Sequence, residues 1–177
     1  MKCKFIVLTI FIILLTSCSF INENEEQNDI IEHPDLILKD VSYTIKRDVN
    51  SSIKLASDQV EIYNKTNLTK AQNVDFIIED DNGESQITGK CDKIEINTDN
   101  FDVKLKGNVI FKILDPVLEI YCDTLDWNNE NSILNTQDEQ IKVISDNSTI
   151  IGSGLSLNID TRYFEFKEIT KGELYEK

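Results

Sequence analysis

Residues 91–112, CDKIEINTDNFDVKLKGNVIFK, decide the fold. Ile94 and Ile96 alternate with Lys93, Glu95 and Asn97, and Phe101, Val103 and Leu105 alternate with Asp102, Lys104 and Lys106. A period of two puts successive side chains on opposite faces of a strand, so each run reads as a half-buried strand. Thr98-Asp99-Asn100 is the turn between them. Gly107-Asn108 breaks the second run, and Val109 and Phe111 resume it on the odd-numbered phase. A glycine inside a strand marks a bulge or a bend.

The pattern recurs. Ser57-Asp58-Gln59-Val60-Glu61-Ile62 matches Cys91-Asp92-Lys93-Ile94-Glu95-Ile96, and so does Cys122-Asp123-Thr124-Leu125-Asp126-Trp127. Gly154-Leu155-Ser156-Leu157-Asn158-Ile159 is a looser fourth copy. The copies start at 57, 91, 122 and 154, which gives steps of 34, 31 and 32 residues. A period of this size means one supersecondary unit stacked on copies of itself. Each unit reads as two strands and two turns, and no window sustains a 3.6-residue period. The fold class is therefore all-β, antiparallel, with about four repeats of 31–34 residues.

The other strands follow from the same alternation. Leu36 and Leu38 are on one parity, and Val41, Tyr43 and Ile45 on the other. Further strands cover Ile53 to Tyr63, Val74 to Ile78, and roughly 85–97, 101–114, 117–127, 131–135, 139–145, 148–160 and 163–170. Turns fall at Asn64 to Asn67, Asp80 to Gly83, Asp115-Pro116, Asn128 to Asn131, Asp146-Asn147 and Asp160-Thr161.

The amino-terminal residues read differently. Lys2 and Lys4 precede Phe5 to Leu15, a stretch of eleven residues that is apolar apart from Thr9. A bilayer span takes about 20 residues, so this length suits the core of a signal peptide. Leu15-Thr16-Ser17-Cys18 resembles a bacterial lipobox, in which the cysteine is acylated and becomes the first residue. The expected organisation is a leader over 1–17, a lipidated Cys18 with an acidic tether over 18–33, and one β domain over 34–177. Several acyl chains on one cysteine supply the stable anchoring that a single chain does not.

The formal charge is −14, and losing Lys2 and Lys4 with the leader takes it to about −16. Phosphate binding needs clustered Lys and Arg, so nucleic acid is excluded as a partner. No GxSxG, HExxH, Walker loop, CxxC or GxGxxG is present. The single histidine, His33, sits beside Pro34 at the end of the tether. Glu79-Asp80-Asp81 reads as a solvated turn tip rather than a calcium loop. No catalytic residue, metal site or cofactor is expected.

Cys91 and Cys122 hold equivalent places in successive repeats. A meander puts such strands on either side of a third, roughly 9–10 Å apart, whereas a disulfide needs Cα atoms within about 7 Å. Two free, buried thiols are expected.

With these residues in view, the chain resembles the LptC family, the periplasmic component C of the lipopolysaccharide export machine. PDLILKDVSYTIKRD at 34–48, IKLASDQVEIY at 53–63 and AQNVDF at 71–76 resemble the family's opening. KLKGNVIFK at 104–112 resembles a signature shared with the soluble bridge protein LptA in the OstA-like superfamily. Residues 123–169, with Gly152, Gly154 and Leu155, resemble the later repeat. The resemblance implies a folded antiparallel β-jelly roll, or β-taco, whose inner face is an apolar groove for the acyl chains of lipopolysaccharide or a related glycolipid. It also implies end-to-end stacking through edge strands, with an LptA-like bridge protein and inner-membrane ABC transporter permeases as partners. Many members carry a transmembrane helix; here a lipid anchor is expected instead, facing the periplasm from the inner membrane.

The candidate groove residues are those whose strand phase alternates with charge. They are Val74 and Phe76; Ile94 and Ile96; Val103, Leu105, Val109 and Phe111; Leu125 and Trp127; Ile141 and Val143; and Leu157 and Ile159. The candidate docking edges are the first strand, with Leu36, Leu38, Val41 and Tyr43, and the last, with Phe164 and Phe166. The competing reading is a scaffold lipoprotein with the same β-stack, a filled interior and no lipid cargo.

Overall fold

In the computed structural model, residues 33–46, 52–80 and 82–175 are described. The expected leader and Cys18 lie outside them, as does all of the expected tether but His33. His33–Lys177 is one compact unit. It contains β1 (Leu36–Lys46), β2 (Ser52–Tyr63), β3 (Leu68–Glu79), β4 (Ser85–Asn97), β5 (Val103–Leu114), β6 (Val117–Asn128), β7 (Ile133–Thr136), β8 (Ile141–Ser145), β9 (Ser148–Asn158) and β10 (Phe164–Leu174). All pair antiparallel in one sheet, in chain order. β7 and β8 share one place between β6 and β9. β1 and β10 form the two edges.

Two strands are longer than the sequence suggests. β3 starts at Leu68, six residues before Val74, because its inward positions there are Thr69 and Ala71, which carry little apolar signal. β10 runs past the expected end near residue 170 to Leu174. A register shift between Ile169 and Lys171 lets the polar segment keep its ladder to β9.

One line across the sheet explains the repeat. On β2 the inward residues are Ile53, Leu55 and Ser57, and then Val60. On β4 they are Cys91 and then Ile94, and on β6 Ile120 and then Leu125, with half-buried Cys122 between. Each strand skips three residues instead of two at the same register position, so its apolar phase slips. The repeated Asp58, Asp92 and Asp123 mark that slip. In the fourth copy the slip lies at Gly152-Ser153-Gly154-Leu155, two residues before the sequence match, where Gly152 and Leu155 are both buried.

Left-handed backbone accompanies the slip on the strands between. Asp40 has φ 49°, Asn73 φ 51°, Gly107 φ 76° and Asn108 φ 49°. Asn and Asp tolerate this region because their short side chains bond locally. Asn73 Nδ2 donates to Asp58 Oδ2 at 2.6 Å, and Asn108 Nδ2 to Asp92 Oδ2 at 2.9 Å. Where β7 gives way to β8, Asp138 joins the neighbours. Its Oδ2 accepts from the Asp123 and Thr124 amides at 2.6 and 2.7 Å, and its carbonyl accepts from the Gly154 amide at 3.1 Å.

This line is a crease. Val103 and Phe111, eight residues apart on β5, line the same small cavity. On a straight strand they would be about 27 Å apart. The sheet therefore folds over at the crease into two leaves with one core between them. The first leaf ends in the turns at 64–67, 98–102, 129–132 and 159–163, and the second in those at 80–84, 115–116 and 146–147. Burial along the strands follows the resulting in-and-out alternation on each leaf.

Candidate functional site

The candidate site has two parts, the space between the leaves and the two open edges. Twelve of the fourteen groove candidates lie between the leaves as buried members of one core: Val74, Phe76, Ile94, Ile96, Val103, Leu105, Val109, Phe111, Leu125, Ile141, Val143 and Leu157. Trp127 and Ile159 are half-buried and pack against them.

The interior narrows to a cavity of about 50 Å3. Phe76, Ile94, Val103, Leu105, Phe111 and Trp127 line it, together with five residues that are not among the groove candidates: Ile53, Ile78, Ile87, Phe101 and Leu134. Ile53, Ile78 and Ile87 are the first or last inward residues of their strands, at the rim of the second leaf. Their phase was readable, but a strand end gives too few alternations to stand out. The rings of Phe76 and Phe111 lie 6.1 Å apart at 45°. Gly89 pairs with both residues and leaves room for them; a Cβ there would meet Phe76 Cζ and the Ile110 carbonyl at 2.4 Å. Toward β9 the interior is filled, with Leu125, Leu134, Ile141 and Leu155 at most 2% exposed.

Cys91 and Cys122 are free, as the meander geometry requires. Cys91 is buried, but Cys122 is only half-buried, which corrects the expectation of two buried thiols. Burial pushes both thiols up to about 12, so neither forms a thiolate nucleophile near neutral pH. Among the described residues no three of His, Cys, Asp and Glu are grouped to hold a metal ion. Asp80, in the acidic turn, caps that turn: its Oδ1 accepts from the Asn82 and Glu84 amides, both at 2.9 Å. The hydrogen bond from Glu84 leads the causes that lower its pKa.

The edges carry exposed apolar side chains. On β1, Leu36 and Ile37 are 47% and 50% exposed; on β10, Ile169 and Leu174 are 59% and 85% exposed. Phe164 is exposed as well. The other edge candidates, Leu38, Val41, Tyr43 and Phe166, face inward and pack on the core. Each edge therefore offers one unpaired row of backbone groups with apolar side chains beside it.

Over residues 5–176 the sequence matches the family described as lipopolysaccharide-assembly, LptC-related. The chain belongs to the LptC-related family. That membership makes it a component of lipopolysaccharide transport and not an enzyme. The fold is similar to the crystal structure of LptH from Pseudomonas aeruginosa, the LptA homologous periplasmic component of the conserved lipopolysaccharide transport device. The match has a TM-score of 0.57 at 14% identity and covers 71% of this chain and 94% of LptH. No curated protein matches the sequence. The LptC-related chain thus has the LptA-like β-jelly roll that the resemblance implies. Among its described residues no helix is long and apolar enough to cross a membrane.

Proposed function

We propose that this LptC-related chain is a lipid-anchored link in a glycolipid export bridge, facing the periplasm from the inner membrane. In this reading it takes the acyl chains of lipopolysaccharide or a related glycolipid between its leaves. It passes them along a row of jelly rolls joined by strand addition at β1 and β10. The permeases of an inner-membrane ABC transporter and an LptA-like bridge protein are the partners at the two edges. The observation that carries the reading is an apolar interior running across a sheet whose two end strands are unpaired. Burying a methylene is worth about 0.8 kcal/mol, so tails bind such a surface without specific polar contacts. Cys18 is the proposed anchor.

The test places a photoreactive residue at Phe111 in the full chain, in the parent cell envelope. A glycolipid adduct at Phe111, absent when exposed Lys104 carries the probe, is the expected result. Protein adducts alone, or none, would sink the carrier reading. Labelling with an alkyne fatty acid that is lost in Cys18→Ala tests the anchor separately.

One observation favours the scaffold alternative. A cavity of about 50 Å3 holds only a few water molecules, whereas small-molecule sites run to about 300–1,000 Å3. For the carrier reading to hold, the leaves must part.

A further inference from the structure

We propose that Arg162 is a latch across the seam between the two leaves, and that this seam is where an acyl chain passes into the interior. The second half of the proposal rests on the carrier reading; the latch does not.

Arg162 lies in the turn between β9 and β10, on the rim of the first leaf. Its Nη2 donates to the carbonyl of Asp115 at 2.7 Å. Asp115 lies in the β5–β6 turn, on the rim of the second leaf and 47 residues earlier in the chain. The bond thus runs from rim to rim. Other rim contacts tie neighbours within one leaf: the Thr98 amide donates to Asn67 and the Ile159 amide to Ser132 on the first, and the Tyr175 amide to Asn147 on the second. The turn that presents Arg162 is itself well braced. Asn158 Oδ1 accepts from the Thr161 amide and hydroxyl at 2.8 and 2.9 Å, and the Asn158 amide donates to the Tyr163 carbonyl at 2.9 Å. Arg162 has φ 59°, so its turn holds it in the left-handed region.

Beneath the bond lies an open cleft of about 260 Å3, with buried Ile113 and Leu157 at its floor, half-buried Leu118 and exposed Val117 and Phe164 on its walls, and Ser145, Asp146 and Asn147 on its polar side. Toward the crease the interior is filled by buried side chains, whereas here a hydrogen bond from an exposed guanidinium spans a mostly apolar cleft. Such a bond is easily exchanged for water, and the gap offers methylenes a surface as soon as it opens. A weak polar closure above unfilled apolar surface is what lateral insertion of a tail requires.

Trp127 is the only tryptophan and lines both the interior cavity and an open depression at the rim of the first leaf, so the outside contribution is common to all variants and the difference between them reports what reaches the interior. The experiment follows quenching of Trp127 in the full chain by a doxyl-labelled stearate and, separately, by acrylamide. It compares wild type, Arg162→Ala, and Arg162→Lys, which keeps a donor. Alanine leaves the left-handed backbone as non-glycine, so the variant removes the bond without changing that strain. The expected result is lipid quenching about fivefold faster in Arg162→Ala than in wild type, with Arg162→Lys between them. Equal lipid rates in all three would overturn the latch and leave the carrier reading standing. If doxyl-stearate quenches none of them, the carrier reading and the acyl passage fall. Acrylamide then decides the latch alone: greater access in Arg162→Ala supports it, and unchanged access overturns it. If Arg162→Ala fails to fold, Arg162→Gln gives the same comparison.

Discussion

At Gly89 a missing side chain is a packing requirement. Phe76 and Phe111 flank it on β3 and β5, and a Cβ would sit 2.4 Å from both Phe76 Cζ and a carbonyl oxygen. Gly89→Ala should therefore destabilise the fold by about 1–3 kcal/mol, as overpacking does. Urea unfolding should show a lower midpoint at unchanged slope. Asp138 is a second single point of dependence. Burial on its own would raise its pKa, but hydrogen bonds from the Thr124 amide and hydroxyl and the Asp123 amide outweigh that, and the net shift is downward. A carboxyl with a lowered folded pKa stabilises the fold above its unfolded pKa, and that contribution fades as pH falls through the folded one. Asp138→Ala should cost about 1–3 kcal/mol near neutrality, because two amides lose their acceptor. Asp138→Asn should flatten the loss of stability that wild type shows below about pH 4. A wild-type acid profile in Asp138→Asn would mean that the carboxylate does not clamp the crease.

The crease is the feature that turns strands into leaves. Asn73 and Asn108 hold left-handed conformations there, and each bonds an aspartate on the neighbouring strand. Asn73→Gly should lose only that side-chain bond, about 1 kcal/mol, whereas Asn73→Val adds the strain of a β-branched residue at positive φ. Valine should thus be worse than glycine by about 1–2 kcal/mol, which thermal unfolding of the two variants would show. Much of this level was legible in the sequence. Alternation at Ile94, Ile96, Val103, Leu105, Val109 and Phe111 placed the strands and their inward faces. The repeat of Asp58, Asp92 and Asp123 was visible too, but its meaning was not. A phase slip of one residue looks like noise in one strand and becomes a crease only when neighbouring strands align. The near rim of the cavity, at Ile53, Ile78 and Ile87, was hidden for a related reason: it is assembled from the ends of three strands. Thr69 and Ala71 concealed the start of β3, since burial there comes from the strands around them and not from their own apolarity.

For the whole molecule, charge and architecture act on each other. The chain carries −14, and four aspartates, Asp40, Asp58, Asp92 and Asp123, lie along the crease. Like charges gathered on one fold line oppose folding, and salt screens them. Raising NaCl from about 0.15 M to about 1 M should increase the unfolding midpoint by a few degrees. A midpoint that falls instead would mean that the surface ion pairs, such as Lys112 with Glu119, outweigh the repulsion. The crease also fixes what can vary. It runs perpendicular to the strands and depends on each strand separately, so nothing in it counts how many strands there are. Adding one hairpin that carries its own slip would lengthen the fold by about 10 Å and leave the cross-section alone. The nine strand positions here span roughly 38 Å. The length of the sheet is then a tally of hairpins, open to gradual extension or loss by duplication and deletion, while the width between the leaves stays constant.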